Sequence, residues 1–420
     1  MKILFLTDNF PPETNAPATR TYEHSREWVK AGHEVTVITC APNFPEGKLF
    51  SGYRNSWYQT EQLEGIHIVR VKTYIASNSG FLRRTLDYLS FMIMGFIAGL
   101  FQKRPDVIIG TSPQFFTVCA AWALALVKRR PFVFELRDLW PASIVTVGAM
   151  REGIATRALR ALEMFLYRQA DSIIPVTQSF KNELVSRGIA ANKIAVVING
   201  VDTSVYVPTP RDQEFVLRYQ LQDKFVVGYF GTHGMAHALD KVLDAAKLLQ
   251  YEADIVWFLV GAGAKRQDLL LQAERLQLSH VHLVEPQAKA QMPRWWSLCD
   301  AALIPLKDDP VFATVIPSKI FECMGMGIPI IMSLPEGEAT QIICATQTGI
   351  TISPEDPHAL AAAVLNLRDH PEKRQAMRQA CYVAAPRFNR QSQALRLQSI
   401  LERVVAGESD TVAEFSGNPY

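Results

Sequence analysis

The sequence predicts an α/β chain made of two doubly wound, parallel-sheet domains. Three observations lead there. Short apolar runs of strand length alternate with amphipathic helical stretches along the first half, the pattern of a parallel sheet covered on both faces. The alternation lapses near residue 200 and restarts at Phe225. At 420 residues the chain is also longer than one ordinary core organises, so its length favours two domains. The boundaries expected are 1–200, 201–383 and 384–420, the last a returning helix and a loose polar tail from Glu408.

In order, Lys2 to Thr7 is a strand, and Asp8 ends its apolar run too early for a leader segment. Thr19 to Lys30 is a helix closed by Gly32, and Glu34 to Thr39 a second strand. Ala41 to Gln62 is rich in Pro, Gly and Asn without clear period and reads as a long loop. Strands follow at Ile66–Val71, Asp106–Gly110, Pro131–Leu136, Ser172–Val176 and Lys193–Ile198. After a linker containing Pro208 and Pro210, the second series is Phe225–Phe230, a helix over Leu239–Gln250, Asp254–Val260, a helix over Lys265–Leu276, Val281–Val284 and Ala301–Pro305. Ala384 to Val405 is helical by period. Two such domains imply ligands at the carboxyl ends of their strands, and a cleft between them.

Charge and cysteines exclude several classes. Lys plus Arg is 43 and Asp plus Glu 41, a net charge of +2, which gives no general pull toward nucleic acid. The six cysteines are scattered without metal-ligand spacing and read as thiols of a reducing cytosol. Thr85 to Gln102 is mostly apolar, with Arg83-Arg84 and Lys103-Arg104 at its ends and Asp87 inside. It fits a buried helix of an α/β domain, a helix lying on a membrane surface, or a short span.

The segment Ile316-Pro317-Ser318-Lys319 to Ile331 carries the most chemistry. Pro317 and Ser318 suit a helix N-terminus, where free amides and the dipole favour a diphosphate, and Lys319 adds a full charge. Glu322 lies one turn on, where a carboxylate can accept both hydroxyls of a ribose. Gly325 and Gly327 then stop the helix before an apolar strand. The alternative is an ordinary helix–turn–strand unit with an exposed glutamate.

Taken together, Phe10-Pro11-Pro12, Ala31-Gly32-His33 to Thr39, Val197-Ile198-Asn199-Gly200-Val201-Asp202, Gly228-Tyr229-Phe230-Gly231, Val260-Gly261-Ala262-Gly263 and the Pro317–Pro329 segment resemble, in order and over nearly the whole chain, the retaining family-four glycosyltransferases of the GT-B fold. That resemblance implies two Rossmann-like domains, with the last helix returning to the first. It implies a nucleoside diphosphate sugar, most often UDP-linked, as co-substrate, with no cofactor and no metal. It assigns the donor to Gly231, His233, His237, Gly263, Thr314, Val315, Ile316, Pro317, Ser318, Lys319 and Glu322. It assigns the acceptor to the loop Pro11–Thr19, with Asn15 and Ala16, and to Arg137, Asp138 and Trp140. Arg137-Asp138-Leu139-Trp140-Pro141 and His233-Gly234-Met235 are further similar to a branch that transfers N-acetylfucosamine in O-antigen or capsule assembly, with a glycan or polyprenyl-diphosphate-linked glycan as acceptor. That use implies a cytoplasmic protein, peripheral on the inner membrane face.

The chain departs from the family pattern in three places. Thr314 stands where a first glutamate is usual, with Asp308 and Asp309 just upstream. The Arg/Lys pair that grips the diphosphate is replaced by Thr232 to His237, leaving His233, His237 and Lys319 to act. Thr14-Asn15-Ala16 replaces a glycine pair. Lys319 is then expected to neutralise the leaving group. Asp138 is expected either to sit near the acceptor as a polar group or to cap the helix starting near Pro141. A sugar-nucleotide epimerase of the same fold and a catalytically weak binding subunit are the competing readings.

Overall fold

The computed structural model describes residues 1–44, 46–76, 81–142, 145 and 153–408. It divides into two compact units, Met1–Ile198 with the chain from Arg390, and Asn199–Asn389.

The first unit holds β1 (Lys2–Leu6), β2 (Glu34–Cys40), β3 (Tyr58–Leu63), β4 (Ile66–Val71), β5 (Val107–Thr111), β6 (Phe132–Leu136) and β7 (Ser172–Pro175), ordered β3-β4-β2-β1-β5-β6-β7. All pairs are parallel except β3 with β4. β1, β5 and β6 are buried nearly end to end because helices cover both faces. β3 falls inside the predicted loop. Its sequence YQTEQL has no apolar run, and as an edge strand paired on one side it alternates exposed and half-buried residues, so neither length nor hydropathy announces it.

Lys193–Ile198 is the reverse case, since it is apolar and buried but forms only a single bridge, Ile194 to Ile173. The Ala195 and Val197 amides donate to the Ile173 and Pro175 carbonyls. The carbonyls of Val197 and Ile198 instead accept from the Arg20 guanidinium, at 2.8 Å each, so no regular ladder continues. Arg20 also donates from Nε to Glu135 at 2.8 Å, in an ion pair almost wholly buried. Burial alone would raise the Glu135 pKa, but Arg20 and Arg137 outweigh it and hold the carboxyl below its usual range.

The helix predicted to run from Ala384 is broken. Pro371–Ala384 is one helix, Ala385–Phe388 a tight turn containing Pro386, and Arg390–Ala406 a second helix. A proline inside a helix lacks the donor and clashes with the preceding turn. The second helix returns to the first unit: Leu397, Ile400, Leu401 and Val404 join Phe5 and Trp28 in its core, and Trp28 Nε1 donates to the Ala394 carbonyl at 2.9 Å. The predicted loose tail, beyond Glu408, lies outside the described residues.

Thr85–Gln102 belongs to a helix over Phe81–Leu100 that is neither wholly buried nor a span. One face turns inward with Phe91 and Ala98, and Gly99 lets it meet Leu124 closely: a Cβ there would stand 2.3 Å from Leu124 Cδ1. The other face exposes Leu86, Ile93, Ile97 and Leu100, followed by Phe101. Among the described residues, no helix is long and apolar enough to cross a membrane.

The second unit holds β8 (Phe225–Phe230), β9 (Ile255–Val260), β10 (Val281–Val284), β11 (Ala301–Pro305), β12 (Ile330–Ser333) and β13 (Gly349–Ile352), all parallel in the order β10-β9-β8-β11-β12-β13. In each sheet the chain lays strands to one side of a central strand and then crosses to the other. The order reverses between β1 and β5 in the first unit and between β8 and β11 in the second. The crevice outside the strand ends at such a reversal is where open α/β sheets bind ligands.

Removing Arg20 strands a buried carboxylate and two carbonyls. Arg20→Met is therefore expected to cost about 3–5 kcal/mol, read as a lower midpoint in guanidinium denaturation followed by tryptophan fluorescence; a change within about 0.5 kcal/mol would count against this role.

Candidate active site

In the second unit the reversal point is closed by two glycine loops. Gly231 follows β8 with φ +150°, and Gly261 and Gly263 follow β9 with φ +153° and +154°. A Cβ on Gly261 would lie 1.8 Å from the Gly231 carbonyl oxygen, and one on Gly263 2.5 Å from that of His233. The His233 amide donates to the Ala262 carbonyl and the Lys265 amide to that of His233, at 2.8 and 2.9 Å. Gly231 and Gly263, which the resemblance assigns to the donor, both meet other parts of the chain closely. Gly263 lets the two loops lie against each other, and the space beside Gly231 is taken by Lys319, whose Cε would be 2.4 Å from a Cβ there.

Lys319 begins the helix Lys319–Met326. Its ammonium stands 5.0 Å over the Tyr229 ring centroid, and no carboxylate forms an ion pair with it among the described residues. Burial lowers its pKa, and Glu322 works against that. Glu322 Oε2 accepts from Trp296 Nε1 at 3.2 Å, so a fully buried indole orients this carboxylate and leaves Oε1 for another donor. The sequence gives no sign of this contact between residues 26 positions apart.

The two histidines stand differently from expectation. His233 is fully buried, and neither of its ring nitrogens has a partner among the described residues. Burial, then Arg266, pushes its pKa down to about 4. His237 is pushed to about 3 by burial, then by Lys319. Both are neutral at pH 7, so neither replaces the missing cations; they offer only neutral hydrogen-bonding groups. Thr314 ends the tight turn Pro310–Thr314 and donates its hydroxyl to the Val311 carbonyl at 2.8 Å, while Asp309 accepts from the Val311 amide at 2.9 Å. Asp309 is thus a turn cap. Asp308 gives its amide to Glu355 Oε2 at 2.7 Å. Val315 is extended, Ile316 is buried, and Pro317 and Ser318 carry the carbonyls that accept from Ile320 and Phe321.

In the first unit, the reversal between β1 and β5 opens into a pocket of about 190 Å³. Asp8 after β1, Glu13 and Asn15 in the following loop, Asp87 and Tyr88 on the helix Phe81–Leu100, and Gln114 after β5 line it. Asn15 also caps the helix Ala16–Lys30 by accepting from the Ala18 amide at 2.9 Å. Ala16 opens that helix and does not line the pocket. Arg137 is tied to the rim, its guanidinium donating to the Pro17 carbonyl at 3.2 Å and its amide to Ser112 Oγ at 2.8 Å.

Asp138 does not line the pocket, and its charge bears on the buried Tyr167 phenol. Trp140 is a core side chain stacked on Phe115 at 4.8 Å; its polar context in the sequence hid its burial. The carboxyl groups that do meet here, Asp8, Glu13 and Asp87, were missed. Asp8 was detectable by the reasoning applied to Asp138, since it too directly follows an apolar strand.

Burial raises all three carboxyls, Glu13 and Asp87 to about 7, with the Asp8 charge adding to both.

Two α/β units of parallel strands, each with polar side chains gathered at its strand reversal, define the class as the GT-B fold. More particularly, residues 17–205 match the Glycosyltransferase Family 4 model and residues 224–370 the Glycosyl transferases group 1 model, and the chain belongs to this group of families. It is 25% identical over 375 residues to WcaI of Escherichia coli (strain K12), a glycosyl transferase named for colanic acid biosynthesis, covering 87% of this chain and 91% of that protein. Among solved structures it resembles sucrose-phosphate synthase from Thermosynechococcus elongatus (TM-score 0.78, 15% identity, 97% and 100% covered). It also resembles Anabaena HepE crystallised with UDP-glucose (TM-score 0.71, 17% identity, 96% and 99% covered).

A carboxyl raised in the folded state binds its proton more tightly there than when unfolded, so stability falls as pH rises from about 4.5 to about 7. Glu13→Gln should therefore raise the melting temperature at pH 8 by several degrees and leave it nearly unchanged at pH 4. Equal shifts at both pH values would refute the assignment.

Proposed function

We propose that this protein transfers a sugar, an N-acetylated amino or deoxy sugar, from a nucleoside diphosphate to a lipid-linked glycan during surface polysaccharide synthesis, with retention of anomeric configuration. The observation that carries the reading is Lys319: a half-buried ammonium without a paired carboxylate among the described residues, at a helix start beside the β8–β11 reversal, with Glu322 one turn away. A cation of this kind is costly unless an anion joins it. A diphosphate at the helix start meets both Lys319 and the first amides of the helix. Glu322, steadied by Trp296, accepts from the ribose diol through its remaining oxygen.

In the reaction the bond from the anomeric carbon to the phosphate oxygen breaks, and the acceptor oxygen bonds to that carbon on the same face. The acceptor's proton passes to the departing phosphate, so no protein base is called for. Lys319 stabilises the charge that grows on the diphosphate, and neutralisation by Lys319 supports a reading without metal. UDP is the carrier we propose, in keeping with the UDP-glucose bound by HepE, and the colanic acid relative supports the polysaccharide role. The departures at Thr314 and at the Arg/Lys pair then make Lys319 the main cationic contact.

The exposed face of the helix Phe81–Leu100 supports a peripheral position on the inner face of the cytoplasmic membrane. Leu86, Ile93, Ile97 and Leu100 recur at helical spacing, and Arg83, Lys103 and Arg104 are exposed at its ends. Apolar residues entering the headgroup layer and cations meeting anionic lipid are the two contributions such binding needs.

Two outcomes are expected. Lys319→Ala should cut kcat/KM for transfer, measured as acceptor-dependent release of nucleoside diphosphate, by on the order of 100-fold, while binding of the free nucleoside changes little; equal loss in both would remove Lys319 from the leaving group. In flotation with vesicles containing anionic phospholipid, the protein should rise and a Leu86→Ser/Ile93→Ser/Ile97→Ser variant should not. Equal flotation of both folded proteins would sink the membrane proposal.

A further inference from the structure

Glu322 meets a tryptophan whose place is fixed from several sides. Trp296 ends the short helix Met292–Trp296 and is wholly buried. Its ring centroid lies 4.2 Å from that of Phe230, the last residue of β8, and its carbonyl accepts from the Cys299 amide at 3.0 Å. The neighbouring Trp295 packs instead on Phe215, at 4.5 Å, and its Nε1 has no partner among the described residues. Of these two adjacent indoles only Trp296 gives its N–H to a carboxylate, at 3.2 Å from Glu322 Oε2. The end of β8 thus governs two groups: Phe230 backs Trp296, and Gly231 leaves the space that Lys319 fills.

Glu322 itself is half-buried, and its Oε1 has no hydrogen-bond partner among the described residues. An indole N–H is a donor only, so Oε2 stays turned toward the buried side for as long as the bond lasts. The indole cannot withdraw without leaving a cavity behind it. A carboxylate that grips a vicinal diol turns both oxygens to it, one for each hydroxyl. Here one oxygen is already occupied by a side chain of the core.

We infer that Trp296 is a positioning residue that sets donor specificity: by holding Oε2 inward it makes the site recognise one hydroxyl of the ribose rather than the diol. This rests on the reading of Lys319 and Glu322 as the nucleoside diphosphate site. A hydrogen bond from ligand to carboxylate is charge-assisted and strong, so deleting the hydroxyl that meets Oε1 costs about 10-fold in affinity. The other hydroxyl, without a carboxylate oxygen of its own, contributes little.

The test measures binding of UDP, 2′-deoxy-UDP and 3′-deoxy-UDP to the full chain by titration calorimetry. The unaltered protein, Trp296→Phe and Glu322→Ala are compared, each checked for folding by circular dichroism. With the unaltered protein, one deoxy analogue should bind within about 2-fold of UDP and the other about 10-fold more weakly. Trp296→Phe keeps an aromatic ring but removes the N–H, so the carboxylate is free to turn. The gap between the analogues should then shrink to about 3-fold or less, as it should in Glu322→Ala. A Trp296 that only packs would weaken all three ligands alike and leave the gap in place. Equal binding of the two analogues by the unaltered protein, or a gap that persists in folded Trp296→Phe, overturns the inference. If Trp296→Phe does not fold, nitrogen-15 spectra of the tryptophan indoles decide. The resonance displaced by Glu322→Ala should move when UDP saturates the unaltered protein and stay in place with the weaker analogue; movement with both overturns the role of Trp296. Failure of the unaltered chain to bind any of the three removes the nucleoside diphosphate reading and this inference with it, whereas UDP binding without the gap removes the inference alone.

Discussion

The reversal of strand order, at β1/β5 and again at β8/β11, is the constraint on which the rest of this molecule depends. A parallel sheet covered on both faces satisfies its own backbone groups along the strands and has no room for ligand polar groups there. At the reversal the connecting loops leave in opposite directions, and the carboxyl edge is the one place where side chains converge without being covered. Both candidate sites lie on that edge. The sequence gathers them from far apart: Asp8, Asp87 and Gln114 in one unit, Gly231, Gly261 and Lys319 in the other.

The two sites differ in the charged side chains they gather. In the second unit a half-buried ammonium stands over an aromatic ring with Glu322 one turn away, and the neighbouring histidines are driven neutral. In the first unit three carboxyls line a small pocket, raised by burial, with Arg137, Arg70 and Arg84 acting on Asp8, Glu13 and Asp87 in the opposite sense. Elsewhere the same side-chain types pair directly: the buried Arg20 guanidinium meets Glu135 and the Val197 and Ile198 carbonyls.

The helix Phe81–Leu100 joins these themes. Its inward face closes on the helix Phe115–Lys128 through Gly99, it delivers Asp87 and Tyr88 to the pocket, and its outward face is apolar with cations at the ends. One stretch of sequence thus serves packing, polar recognition and surface. That is why hydropathy alone admitted three readings of it.

The sequence by itself determined the two parallel-sheet domains, because buried strands such as Phe225–Phe230 and Ile255–Val260 must be apolar throughout and their helices must be amphipathic. It also determined the helix start at Lys319, because local signals, a proline, a serine and a later glycine, mark it within a few residues. Edge strand β3 escaped because pairing on one side asks little of composition. Lys193–Ile198 misled because burial was supplied by Arg20 and β7 rather than by a ladder. Only the tertiary structure decided which polar residues share a site. It took Trp140 into the core, left Asp138 out of the polar pocket, set Gly231 against Lys319 and Gly263 against the His233 backbone, and brought Trp296 to Glu322. The physical reason is that period and propensity act over a turn or a strand, whereas desolvation and charge balance are set by neighbours dozens of residues away.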